Sequence, residues 1–215
     1  MTDAVQPGPL PAAVDGTTPV DAVTQARNAQ IALALAALVE PARAASGIWD
    51  RTVVVNGVTR SSTFYSLAST LNAIAVFGAV IAFLLWLRRC RTNADILAPG
   101  AATYSTGWVV GAWFTPLLMW WRPRRIVLDI HRASHPEAPD HTGIRLINYW
   151  WTARVGYSVT VTILVALTGR MVRVSPAITI VLEVVYIASA VLLIVVINRV
   201  TGAQARRFAP SSAPA

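Results

Sequence analysis

The chain has no lysine and a single cysteine, Cys90, and only 13% of its 215 residues are charged. Each shortage excludes something. One cysteine rules out an internal disulfide framework and a cysteine-built metal cluster. So little charge, set against 55% apolar residues and a mean hydropathy of +0.54, rules out an ordinary soluble domain. A membrane protein is the first expectation. There is no glycine-rich phosphate loop, no Ser/His/Asp arrangement and no internal repeat, so no catalytic residue can be named and no cofactor is called for.

The charge that is present is lopsided. All 18 cations are arginines, against 10 acids, for a net charge of +8. Every cation is therefore a planar fork suited to phosphate and carboxylate oxygens. Anionic lipid headgroups are the expected partner, with a protein partner or a second copy of the chain as further candidates. Nucleic acid is not expected, because the arginines flank apolar spans instead of lining a soluble basic face. The arginine-only, Ala- and Val-rich composition suggests a GC-rich bacterial source.

Residues 1–20, with Pro7, Pro9, Pro11 and Pro19 and no apolar periodicity, read as a disordered tail. A first helix is expected from Asp21, as N-cap, through the apolar run Ile31 to Val39 to about Ala45. It carries Arg27, Glu40 and Arg43. A cleaved signal peptide is the rival reading, with Ala42-Arg43-Ala44 as the cleavage site, but the long acidic stretch ahead of it is unlike a compact basic leader. Between Ser46 and Thr63, Asn56-Gly57 separates two β-branched runs. That is a hairpin signal, with a structureless loop as the alternative. Phe64 to Leu87 is an uncharged second span closed by Trp86 and by Arg88, Arg89 and Arg91, which belong in the cytoplasm. A fourth element runs from Ile147 to Leu167 behind the belt Tyr149-Trp150-Trp151. The last runs from Pro176 to Ile197 and is closed by Arg199.

The stretch from Leu84 to Ser134 organises the rest. Trp108 to Trp121 is fourteen residues without a charge, broken by Gly111 and Pro116 and followed by Arg122, Arg124 and Arg125. Fourteen helical residues cover about 21 Å, short of a hydrocarbon core of about 30 Å. A re-entrant or interfacial segment, which keeps both arginine clusters cytoplasmic, is preferred to a tilted fifth span starting near Ala101. Arg122-Pro123 then opens an amphipathic helix, with Ile126, Val127, Ile130 and Ala133 opposite Arg124, Arg125, Asp129 and Arg132. It is expected to lie on the membrane surface.

The expected fold is thus an all-α integral membrane protein with four full transmembrane helices, a short Trp-rich re-entrant or interfacial (or fifth spanning) segment and an amphipathic surface helix. These form one membrane domain over 21–200 between disordered tails at 1–20 and 201–215. The expected location is multi-pass in a bacterial cell membrane, with both termini cytoplasmic. Arg88, Arg89, Arg91, Arg122, Arg124, Arg125 and Arg132 are the candidate headgroup or partner contacts. Arg154 and Glu183, with Glu40, are ionisable groups inside spans and hence candidates for function. His131 and His135, at i,i+4, are weak metal candidates beside Asp129, Glu137, Asp140 and His141. Pro136 follows at once, and no Glu stands between the two in metalloprotease position, so a solvated loop is the expected state of this cluster.

The order Trp86, Arg89-Cys90-Arg91-Thr92-Asn93, Gly107-Trp108, Trp113-Phe114-Thr115-Pro116, Trp121-Arg122-Pro123, Arg132-Ala133-Ser134 resembles the bacterial membrane family DUF4328, a domain of unknown function. The resemblance covers about fifty residues closely and implies a multi-helix integral membrane protein, without an activity, substrate or catalytic residue. His131 stands where an aromatic such as Trp is expected, and Thr115 and Met119 depart from the usual choices around the proline. The expected function is a non-enzymatic scaffold, interaction or lipid-associating subunit with an arginine-rich cytoplasmic face. The alternative is a small transporter or channel component using Glu183 and Arg154.

Overall fold

A computed structural model describes residues 21–49, 53–55, 58–60, 63–135, 138–168 and 175–209. The expected tail at 1–20 lies outside them. The described elements are six α-helices and a two-stranded hairpin: α1 (Val23–Trp49), β1 (Val53–Val55), β2 (Val58–Arg60), α2 (Thr63–Leu97), α3 (Trp108–Phe114), α4 (Arg122–Ala133), α5 (His141–Thr168) and α6 (Pro176–Phe208).

Helix ends follow local chemistry. Asp21 accepts hydrogen bonds from the Val23 N–H at 2.8 Å and the Thr24 hydroxyl at 3.0 Å, holding the first turn of α1. Ser175 caps α6 by accepting from the Ile178 N–H, with Pro176 in the first turn, where a missing N–H costs nothing. The hairpin expected around Asn56-Gly57 is present, with Val53 opposite Arg60, Val54 opposite Thr59 and Val55 opposite Val58. Helix α1 is longer than expected. It continues past Pro41 to Trp49, so Ser46 is helical and buried instead of opening the loop.

Helices α1, α2, α5 and α6 form a bundle in which α1 packs on α2 and α6, and α5 packs on α6. The buried apolar positions of α1 are Ala26, Ala29, Ala36 and Ala44, with Ala22 just ahead of the helix, a stripe of small side chains that lets the neighbouring backbones come close. Two helices, α2 and α6, are long and apolar enough to cross a membrane, with mean hydropathies of 2.2 and 2.9 over their best windows. Only 22% of each window is buried within the chain, whereas the core helix of a soluble protein would be mostly covered. Helices α1 and α5, at 27 and 28 residues, are shorter than these but longer than the roughly 20 residues a span needs; four full spans are not established by length and apolarity among the described residues.

At 35 and 33 residues, α2 and α6 are roughly 50 Å long, well beyond a hydrocarbon core of about 30 Å. Their surplus C-terminal ends build a second region. Trp86, Leu87 and Cys90 of α2, Ile197 and Val200 of α6, Ile147 of α5, Val109 and Ala112 of α3 and Val127 and Ile130 of α4 form one close-packed core. Helix α4 is amphipathic as expected, but its apolar face is covered by protein. Pro123, Ile126, Val127, Leu128, Ile130 and Ala133 are all buried, so no apolar face is left to insert into a bilayer. Nor does a disordered tail begin at residue 201. Helix α6 continues to Phe208 because Thr201, Ala203 and Gln204 are buried in the same core.

Candidate functional site

The Trp-rich segment turns back on itself. Helix α3 has seven residues, about 10 Å of rise, too short for a fifth span. After it, Leu117 adopts φ +66° and ψ −51°, and the Leu118 N–H bonds the Pro116 carbonyl at 2.8 Å. This is a strained γ-turn, set by a proline that cannot continue the helix. A 3-10 turn, Leu118–Trp120, leads into α4. The two ends of the segment meet: the Arg122 guanidinium lies 4.2 Å from the Trp108 ring centroid and 5.1 Å from that of Tyr104. Trp113 and Trp151 are edge to face, and the Trp151 indole N–H donates to the Trp120 carbonyl at 3.2 Å. Phe114, Leu117 and Trp121 point outward, Phe114 and Leu117 with about 70% of their surface exposed.

The arginines divide into two sets. Arg91 is buried, pairs with Asp95 at 2.9 Å and donates to the Tyr104 carbonyl. Arg122 is stacked as described, and Arg124 donates from Nε and Nη2 to Asn148 Oδ1 of α5 at 2.9 and 2.7 Å. These three hold the second region together. Arg88, Arg89, Arg125 and Arg132 are exposed, Arg132 within 3.9 Å of Asp129. A polar network missed by the sequence reading ties α2, α4 and α6 together. The Gln204 amide donates to the Cys90 carbonyl at 3.0 Å and to Ser134 Oγ at 3.3 Å, and accepts from Asn93; the Trp86 indole donates to Thr201 at 2.9 Å.

In the bundle half, a cavity of about 420 Å³ lies among α1, α2, α5 and α6. Phe83, Trp113 and Trp150 close one end, and Glu40, Arg43, Asn72, Arg154 and Tyr157 supply polar lining. Glu40 is buried and forms a two-pronged ion pair with Arg43 one turn on, Nε to Oε2 at 2.9 Å and Nη2 to Oε1. Arg154 donates to Ser158 Oγ one turn on. Glu183 does not meet Arg154; it lies within electrostatic reach of Glu40 and Arg43, and its Oε2 is buried without a hydrogen bond.

The histidine cluster is no solvated loop. His131, on the inner face of α4, is 1% exposed, and its ring stacks on His135 with centroids 4.4 Å apart. Asp140 is the N-cap of α5, Oδ1 accepting from the Gly143 N–H at 3.0 Å, and its Oδ2 accepts from Arg199 of α6 at 2.7 Å. Burial, reinforced by the neighbouring His135, pushes the His131 pKa below the usual range and favours the neutral ring. For Asp140, burial opposes ionisation, but the Gly143 N–H and the Arg199 guanidinium outweigh it and hold the carboxyl below its ordinary range. Gly143 makes the arrangement fit. A Cβ there would lie 2.3 Å from His131 Cε1 and 2.6 Å from Asp140 Oδ2.

No curated protein and no solved structure matches the chain. A family model described as a domain of unknown function, DUF4328, matches residues 50–202, from the hairpin to the C-terminal half of α6. The match extends well beyond the fifty residues that carried the resemblance, and leaves α1 outside it. With most of its length so matched, and the Trp- and Arg-bearing segment folded as one closed unit at its centre, the chain is a member of the DUF4328 family.

Proposed function

We propose that the chain is a small, non-enzymatic membrane scaffold: α1, α2, α5 and α6 span the bilayer, and the exposed arginines at one end engage anionic headgroups. The observation that carries this reading is the meeting of Arg122 with Tyr104 and Trp108, which returns the Trp-rich segment to the side it left. Arg88 and Arg89 then share one face with Arg125 and Arg132, as the positive-inside tendency requires. Phe114 and Leu117, exposed at the turn of that segment, suit the interfacial zone. A polybasic face of this kind contributes on the order of 1 kcal/mol per arginine at an anionic surface. Both termini of a four-span bundle fall on that same side.

Native mass spectrometry of the detergent-released protein with mixed phosphatidylglycerol and phosphatidylcholine tests the reading. Retention of the anionic lipid is expected, with at least a tenfold loss in an Arg88→Gln/Arg89→Gln/Arg125→Gln/Arg132→Gln variant. Equal retention of both lipids would discard it. A second reading, a transporter or channel component, is favoured by the polar cavity with Glu40, Arg43 and Arg154 on its wall and Glu183 nearby. An ion or proton flux in proteoliposomes that Glu183→Gln abolishes would select it over the scaffold.

A further inference from the structure

We propose that His131, His135 and Asp140 bind one divalent transition-metal ion of the zinc class, clasping the end of α4 to the start of α5. The donors are the right kind: two imidazoles and a carboxylate form a borderline-hard set suited to zinc and its neighbours. Their spacing is close to what such an ion needs. One ligand atom from each residue falls within 4.8 Å of the others, and Asp140 Oδ2 lies 3.6 Å from His131 Nε2 and 4.0 Å from His135 Nε2. Ligands about 2.0 Å from a tetrahedral ion stand roughly 3.3 Å apart, so the three side chains must draw together by between about 0.3 Å and about 1.5 Å to close the site.

The tautomer of His135 is already set for it. His135 Nδ1 lies 2.9 Å from the His131 carbonyl, an acceptor only, so Nδ1 carries the proton and Nε2 presents its lone pair toward Asp140. A backbone carbonyl fixing the distal nitrogen is the usual outer support of a metal-bound histidine. His131 is a buried ring with Nδ1 unpartnered and Nε2 at 3.5 Å or more from both Asp140 oxygens near it, too far for a strong hydrogen bond. A buried imidazole so poorly satisfied among protein groups is one whose lone pair has a use for a ligand. The side chains of His135 and Asp140 are each 19% exposed, which gives an ion access and leaves a fourth position for water. Arg199 is the built-in competitor, since its guanidinium sits on Asp140 Oδ2 and repels a second cation.

The full chain in nanodiscs, titrated with Co²⁺ as a spectroscopic probe and then with Zn²⁺, tests this. One equivalent of Co²⁺ is expected to give visible ligand-field bands that Zn²⁺ displaces, and the melting temperature is expected to rise with either ion. His131→Ala/His135→Ala is expected to abolish the bands. Since a buried ring is lost there, His135→Gln, at a partly exposed position, and the near-isosteric Asp140→Asn serve as the folded controls. Each is expected to weaken binding at least tenfold without changing the elution profile, while Arg199→Gln strengthens it and His141→Ala leaves it unchanged. Bands absent from the wild type, or retained in His135→Gln and Asp140→Asn, would overturn the proposal.

Discussion

The two halves of α2 belong to different environments. From Phe64 to Leu85 most of its large side chains point outward, with Phe77 at 70% and Ile74 at 65% exposure and Phe83 the enclosed exception, whereas Trp86 and Leu87 at the junction are completely covered. Helix α6 divides the same way, Val181 and Val184 being open and Val196 to Val200 largely enclosed. In the first region the large apolar side chains face outward, and the protein interior holds the polar groups Glu40, Arg43 and Asn72 around a cavity. In the second, hydrophobicity is directed at α3 and α4, and Trp86, Arg91, Asn93 and Gln204 have their polar atoms paired with named partners. Apolarity alone therefore does not say where a helix stops facing outward; the change from exposed to enclosed side chains does.

If that division is right, substitutions of similar chemistry will have unequal effects on either side of Leu85. The largest is expected at Trp86→Ala, which empties a fully enclosed site and strands the Thr201 hydroxyl. A loss of about 3–5 kcal/mol is expected in reversible unfolding from mixed micelles. Gln204→Leu removes the one side chain that joins α2, α4 and α6, leaving the Cys90 carbonyl and Ser134 hydroxyl short of a donor. It is expected to cost about 1–3 kcal/mol by the same measurement. Gly143→Ala forces a methyl group against His131 and Asp140, and a destabilisation of about 1–3 kcal/mol is expected; a melting curve unchanged from wild type would contradict the close contact. The smallest effect belongs to the other region. Phe77→Leu exchanges one outward-facing hydrocarbon for another and is expected to stay within about 0.5 kcal/mol. Should Phe77→Leu rival Trp86→Ala, the two-region description fails. Topology can be checked without thermodynamics: cysteines placed at Arg125 and Arg132, in a chain whose own Cys90 is replaced by Ala, are expected to label from the side on which Arg88 is reached.

Most of the elements were legible because they rest on local rules. Asp21 and Pro176 each fix one boundary within a few residues, the strands paired on either side of 56–57 lie where the Asn-Gly signal put them, and the apolar lengths of α2 and α6 exceed anything a short loop allows. The order of aromatic and arginine residues between Leu84 and Ser134 was enough for the family, now matched over 50–202. The sites were less legible. Arg91 and Arg124 look like free membrane arginines in the sequence, yet one pairs with Asp95 and the other reaches Asn148, twenty-four residues on. Helix α4 looked surface-bound because an amphipathic pattern does not say whether lipid or protein covers the apolar face.

The sequence by itself determined the helices, the hairpin, the bend at Pro116 and the sign of the charge, since each depends on neighbours within a turn or two. Only the tertiary structure decided what the polar groups are for. It brought Gln204 to Cys90, Arg199 to Asp140 and Arg122 back to Trp108, and it turned a polar string of histidines and an aspartate into one enclosed cluster. Such pairings are settled by which helices pack together. Packing rests on the fit of many weak contacts across the bundle, which a local pattern does not encode.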